Sequence, residues 1–179
     1  MPENQRAPAE PPVHWWDLWP QEVPRHFNPP SPYHLPNQPG KPRILVGSLM
    51  ELDPDCLNEH DITCVVTCIG GRFAHHRVDS ERLQSLRLPD KPIQHINFCP
   101  NFAPDRKWFP QLMDEIWNHS SVLVHCKMGQ KRSVMTASAI GVVGGLYSSV
   151  DDLQDHLRHV DRWLDKDEWG IFYALLKQT

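Results

Sequence analysis

His125-Cys126 is followed, after five intervening residues, by Arg132-Ser133, and Gly129 stands third after the cysteine. The string closes a β-branched, apolar run, Ser121-Val122-Leu123-Val124. In physical terms a buried strand ends at a cysteine, a short loop with one glycine follows, and an arginine opens a helix. The amides of such a loop and of the helix N-terminus converge on one small concavity, which binds anions. The same field favours thiolate over thiol, so Cys126 is expected to have a lowered pKa. Arg132 can grip two oxygens of a tetrahedral anion at once. A thiolate beneath a bound phosphate is an in-line nucleophile. Taken singly, Cys126 reads as a buried structural cysteine before a helix. The complete string reads as an anion-binding loop.

The elements that must hold this loop follow from the spacing of apolar residues. Arg43 to Gly47 reads as a strand, and 53–60 as a short helix with Asp53 as its N-cap. A β-branched strand over 62–69 ends at Gly70-Gly71, and a helix over 80–88 ends before Pro89. Residues 93–98 alternate apolar and polar, which predicts a strand with one buried face. A helix over 107–119 turns Phe109, Leu112 and Ile116 inward, and another runs over 132–144 after the loop. Ser149 and Asp152 make a capping-box-like start, and Val150, Leu153, Leu157, Val160 and Leu164 fall on one helical face. A last element over 167–177 places Ile171, Phe172, Leu175 and Leu176 inward. Strands alternating with helices predict an α/β fold, a central and largely parallel sheet flanked by helices.

Twelve of the 18 prolines fall in residues 1–42, which argues against regular elements there because each removes an amide donor. Residues 1–42 are therefore an extended Pro-rich aromatic arm, with 1–10 expected to be disordered and 43–179 forming the catalytic domain. The arm carries Trp15, Trp16, Trp19, Phe27 and Tyr33, which need burial either on the domain or on a protein partner. A net charge of −4 argues against binding nucleic acid by electrostatics. The longest nearly apolar run, Ala139 to Tyr147, is too short to span a membrane. An odd number of cysteines, Cys56, Cys64, Cys68, Cys99 and Cys126, and no visible secretory signal point to a cytoplasmic or nuclear protein, not a secreted one. Cys64 and Cys68 with His75 and His76 suggest a metal site at first sight. Residues four apart on one strand, roughly 13 Å at about 3.3 Å per residue, cannot share a metal.

The string from Val122 to Ser133 resembles the signature of the cysteine-dependent protein tyrosine phosphatase superfamily, and most of all its dual-specificity branch, the slingshot-like and small atypical members. Arg43-Ile-Leu-Val-Gly-Ser-Leu49 is similar to that family's opening strand and turn, and 57–67 to its helix leading into a strand. The likeness covers roughly 42–177. It implies phosphoester hydrolysis in which Cys126 forms a cysteinyl-phosphate. Arg132 and the loop Lys127, Met128, Gly129, Gln130 and Lys131 hold the phosphate oxygens. Ser133 stabilises the departing thiolate, and His125 orders the loop. No metal or cofactor is implied. The family's general acid is an aspartate after the strand at 93–98; here Asp105 is the only carboxylate in that loop. Asp105 also reads as a helix N-cap, strict alignment favours Asn101, and the stretch from Asp105 to Cys126 is shorter than the family's spacing. Cys68 ends the strand expected beside the catalytic one, and reads either as a small core residue or as a reversible disulfide partner of Cys126. The resemblance implies a phosphoserine, phosphothreonine or phosphotyrosine protein as substrate. A phosphoinositide is the alternative, on account of Lys127 and Lys131. A phosphate-binding module with little turnover is a further alternative, and an RNA 5′-triphosphatase ranks below these. Arg72, His75, His76 and Arg77 either steer an acidic substrate or are simply solvated.

Overall fold

The computed structural model describes residues 28–68, 92–98 and 108–164. The predicted helix over 80–88, the element over 167–177 and the arm before residue 28 lie outside the described residues. Five strands form one sheet: β1 (Tyr33–His34), β2 (Arg43–Gly47), β3 (Cys64–Thr67), β4 (Gln94–Asn97) and β5 (Ser121–His125). Their order is β1-β2-β5-β3-β4. β2, β5, β3 and β4 are mutually parallel, and β1 is antiparallel to β2. The α/β sheet expected from the sequence is therefore present, with β5 in its middle.

Side-chain alternation sorts the sheet into two cores. Ile44, Val46, Cys64, Val66, Val122 and Val124 face one side, where they meet helices α2 (Trp108–Ile116), α3 (Arg132–Val143) and α4 (Val150–His159). Leu45, Val65 and Leu123 face the other, against Leu49, Leu52 and Leu57. Burial on both faces is why these strands read as continuous apolar runs. Helix α1 (Pro54–Glu59) begins where Asp53 accepts from the amides of Asp55 and Cys56, as its N-cap reading requires. Helix α4 begins at Ser149, whose hydroxyl accepts from the Asp152 amide.

Two expectations are corrected in detail. β3 starts later than 62 because the Ile62 amide turns back to the Leu57 carbonyl, 2.9 Å, and closes α1 instead of joining the ladder, while the expected end at 69 lies outside the described residues. β4 does not bury one face only. Ile96 and Phe98 pack on the first core and Ile93 on the second, while Gln94 and Asn97 remain exposed, as befits an edge strand. β1 is a two-residue strand inside the Pro-rich stretch. Prolines 32 and 36 bracket it, so Tyr33, His34 and Leu35 keep their amides; Leu35 donates to the Ile44 carbonyl at 3.0 Å.

Candidate functional site

The site is built where the parallel strands end. In open parallel sheets the C-terminal strand ends form the crevice that takes ligands. The register pairs Gly47, His125 and Thr67 across β2, β5 and β3, so the next residues, Ser48, Cys126 and Cys68, leave the sheet side by side. The Cys126 amide donates to the Gly47 carbonyl at 3.4 Å, and the Cys68 amide to the His125 carbonyl at 2.7 Å. Residues 127–131 then form a loop that ends in α3. Gly129 is in left-handed conformation, φ 66°, and a Cβ there would stand 3.0 Å from the backbone of Gly47 and Ser48. Only glycine gives both the turn and the close approach. A Cβ on Gly47 would meet the Glu51 side chain, which folds back to take the Ser48 amide at 2.5 Å and the Ser48 hydroxyl at 2.9 Å.

Helix α3 differs from α1 and α4 at its start. Its N-cap position is Lys131, which makes no side-chain cap, and its first turn carries no acid. None of the amides of Met128, Gly129 and Gln130 donates to another described residue. The positive end of the helix and these three amides thus belong to the one short loop that leaves Cys126, the kind of arrangement that binds anions. The Cys126 sulfur lies 3.2 Å from the Ser133 hydroxyl oxygen, both buried. Arg132, half-buried, opens the helix beside them. One turn further on, the Cys68 thiol donates to the Thr136 hydroxyl at 3.4 Å.

His125 is fully buried, and its Nε2 lies 2.7 Å from the Thr67 hydroxyl, which is 2.8 Å from Nε2 of His95. Burial, reinforced by His95 and offset in part by the Cys126 backbone, pushes the His125 pKa down to about 3. The imidazole is therefore neutral at physiological pH. It serves as a hydrogen-bonding strut between β5 and β3, which in turn reaches β4.

The structure thus brings together Cys126, the loop from Lys127 to Lys131, Arg132, Ser133, His125 and Cys68. Asp105, its rival Asn101, and the Arg72, His75, His76 and Arg77 group lie outside the described residues. Sequence reasoning missed Thr67, His95, Ser48, Glu51 and Arg162. Thr67 and His95 carried a faint signal, being polar residues within predicted strands. Ser48 and Glu51 stand three apart as in a capping box, Ser-x-x-Glu, which a scan for that pattern would have found. Among the described residues no group of three or more His, Cys, Asp or Glu side chains is placed to hold a metal ion.

Known proteins give a consistent frame. Solved structures align over most of the chain. PTPMT1 matches with a TM-score of 0.60 at 12% identity, covering 82% of this chain and 94% of that one. Human DUSP28 matches with a TM-score of 0.53 at 14% identity, covering 79% and 94%. A mouse putative dual specificity phosphatase complexed with zinc tungstate matches with a TM-score of 0.53 at 15% identity, covering 79% and 84%. This chain shares the fold of these phosphatases. No family model matches the sequence, and no curated protein matches it. Among the described residues no helix is long and apolar enough to cross a membrane.

Proposed function

We propose that this protein hydrolyses phosphoesters through a cysteinyl-phosphate on Cys126. The observation that carries the reading is the uncapped, acid-free start of α3 above a buried thiol that already has a hydroxyl, Ser133, at 3.2 Å. Cys126 attacks phosphorus, the S–P bond forms and the ester P–O bond breaks in line. Arg132 and the amides of the loop take the three equatorial oxygens, so catalysis is mostly positioning and charge stabilisation. A proton from Asp105 goes to the leaving oxygen; the resulting carboxylate then takes a proton from the water that cleaves the S–P bond. Ser133 donates to the thiolate as it leaves.

The test is turnover of an aryl phosphate by purified protein. Hydrolysis that survives a chelator and disappears in Cys126→Ser supports the proposal; binding of phosphate analogues without turnover identifies a phosphate-binding module instead. Asp105→Asn should depress hydrolysis of alkyl phosphates far more than that of an ester with an activated leaving group. Equal loss on both, or none, removes Asp105 from the scheme.

The substrate read first is a phosphoprotein, with phosphoserine, phosphothreonine and phosphotyrosine all admitted. A phosphoinositide is the second reading. It is favoured by Lys127, half-buried, and Lys131, exposed, in the loop itself, and by a similar fold solved as PTPMT1 in complex with PI(5)P. Parallel assays on phosphopeptides and on phosphoinositide vesicles separate the two. Cys68 has a proposed part as well. Thr67 and His125 are register partners, so Cys68 and Cys126 emerge from neighbouring strands about 4.8 Å apart, within the separation a disulfide spans. One peroxide would convert the two thiols to a disulfide and two waters. Peroxide treatment followed by mass mapping should find that bridge; its absence assigns Cys68 to the core alone.

A further inference from the structure

Helices α1 and α4 end in the same turn. Asp61 and Asp161 both adopt left-handed backbone, φ 51° and φ 54°. In each case the next amide returns to the helix: Ile62 donates to the Leu57 carbonyl at 2.9 Å, and Arg162 to the Leu157 carbonyl at 2.8 Å. Such a reversal swings the following side chain inward. After α1 it buries an isoleucine, as a core requires. After α4 it buries a guanidinium, and Arg162 is only 5% exposed.

Among the described residues, Arg162 meets backbone carbonyls and one ring. Its Nε donates to the Gly129 carbonyl at 3.2 Å and its Nη2 to the Ser31 carbonyl at 2.6 Å. Its Nη1 donates to the carbonyls of Val160 at 2.9 Å and Asp161 at 3.1 Å. The guanidinium carbon stands 5.5 Å from the centre of the Tyr33 ring. No carboxylate of a described residue forms an ion pair with it. Burying a guanidinium is costly, and its hydrogen bonds to backbone carbonyls offset part of that cost.

The contact with Gly129 has a consequence set by covalent geometry. The Gly129 carbonyl and the Gln130 N–H belong to one planar trans peptide and point in opposite directions. Fixing the carbonyl on Arg162 fixes that N–H facing away from Arg162. The contact with Ser31 ties the same guanidinium to the segment that leads into β1.

We propose that Arg162 is a positioning residue for the phosphate loop. It pins the 129–130 peptide plane to the segment before β1, so that the Gln130 amide is preset for the anion. The proposal rests on the phosphatase reading for its purpose, but not for its geometry. The experiment is amide hydrogen exchange on the full chain, with vanadate affinity measured alongside, for Arg162→Met and for the charge-keeping Arg162→Lys. A lysine can reach one of the two carbonyls but cannot bridge both. The expected result is faster exchange in 127–131 and 28–35 together in both variants. Vanadate binding should weaken about tenfold in Arg162→Met, and by less in Arg162→Lys. Unchanged exchange in both segments, with only a lower melting temperature, would overturn the proposal. Faster exchange in a protein whose wild type neither binds vanadate nor hydrolyses esters would uphold the pin while removing the phosphatase reading.

Discussion

The two ends of the parallel sheet treat polar groups in opposite ways. At the N-terminal ends of the strands, polar groups satisfy one another. The Ser121 hydroxyl donates to the His60 carbonyl at 2.9 Å, and the Thr63 hydroxyl to the Ser121 carbonyl at 3.1 Å. His119 lies 3.2 Å from the Thr63 hydroxyl and 2.8 Å from the Gln94 side-chain oxygen. At the C-terminal ends the side chains are equally well ordered, through Glu51, Thr67, His125 and Arg162, yet the amides of Met128, Gly129 and Gln130 donate to no other described residue. Cysteines mark the contrast. Cys64, at the lower end, is pushed up to about 12 by burial and then by Glu115, whereas Cys126 faces Ser133 under the loop. The same residue type is inert filling at one end and a candidate nucleophile at the other. What separates them is the backbone around the sulfur.

Substitutions at the upper end should have the largest effects. Arg132→Lys keeps a charge but loses the two-pronged grip, and should lower kcat about 10²- to 10³-fold. A steady-state assay showing less than a fewfold loss would take Arg132 out of the oxyanion grip. Gly129→Ala comes next. Its Cβ meets the Gly47 and Ser48 backbone at 3.0 Å and adds left-handed strain of about 1–2 kcal/mol. Weaker vanadate binding and a lower melting temperature should appear together; wild-type values for both would show that the loop tolerates a side chain there.

The histidine strut predicts a pH dependence of stability. The unfolded chain protonates His125 near pH 6.5, but the folded chain does so only near pH 3. Below pH 6.5 the unfolded state therefore binds the additional proton, and stability falls as pH drops towards 3, by at most about 1.4 kcal/mol per pH unit for this residue. His34 and His156, also lowered mainly by burial, act in the same direction. Urea titrations at pH 7.5, 6.5 and 5.5 should show the decline begin below pH 6.5; a flat profile would mean that His125 is not held neutral.

The lower end should respond least. Ser121→Ala removes one hydrogen bond and should cost about 1 kcal/mol of stability with turnover unchanged. Cys56 and Cys64, raised to about 11 and about 12 chiefly by burial, should resist alkylation at neutral pH in the folded protein. A Ser121→Ala enzyme with impaired turnover would show that the two ends are not independent.

The part of the molecule most legible in the sequence was the segment from Ser121 to Val143. Strand, loop and helix came out within a residue because apolar runs, one glycine and a helix start are all local signals. The Ser149 cap of α4 was legible for the same reason. β1 was not, since proline density speaks against strands, and only the pairing with β2 reveals that the three amides between Pro32 and Pro36 suffice. Arg162 was invisible. Its burial follows from the left-handed turn at Asp161 and from a carbonyl 33 positions away, neither of which leaves a periodic trace. The Thr67–His125 link is likewise a product of strand register, which a single strand pattern does not encode.

The central claim is tested most directly by quenching the protein during turnover of a radiolabelled aryl phosphate and mapping the labelled peptide. The account predicts label on the peptide containing Cys126, a burst of the aryl alcohol stoichiometric with protein, and neither in Cys126→Ser. Turnover with no label on that peptide, or turnover that persists in Cys126→Ser, would contradict it.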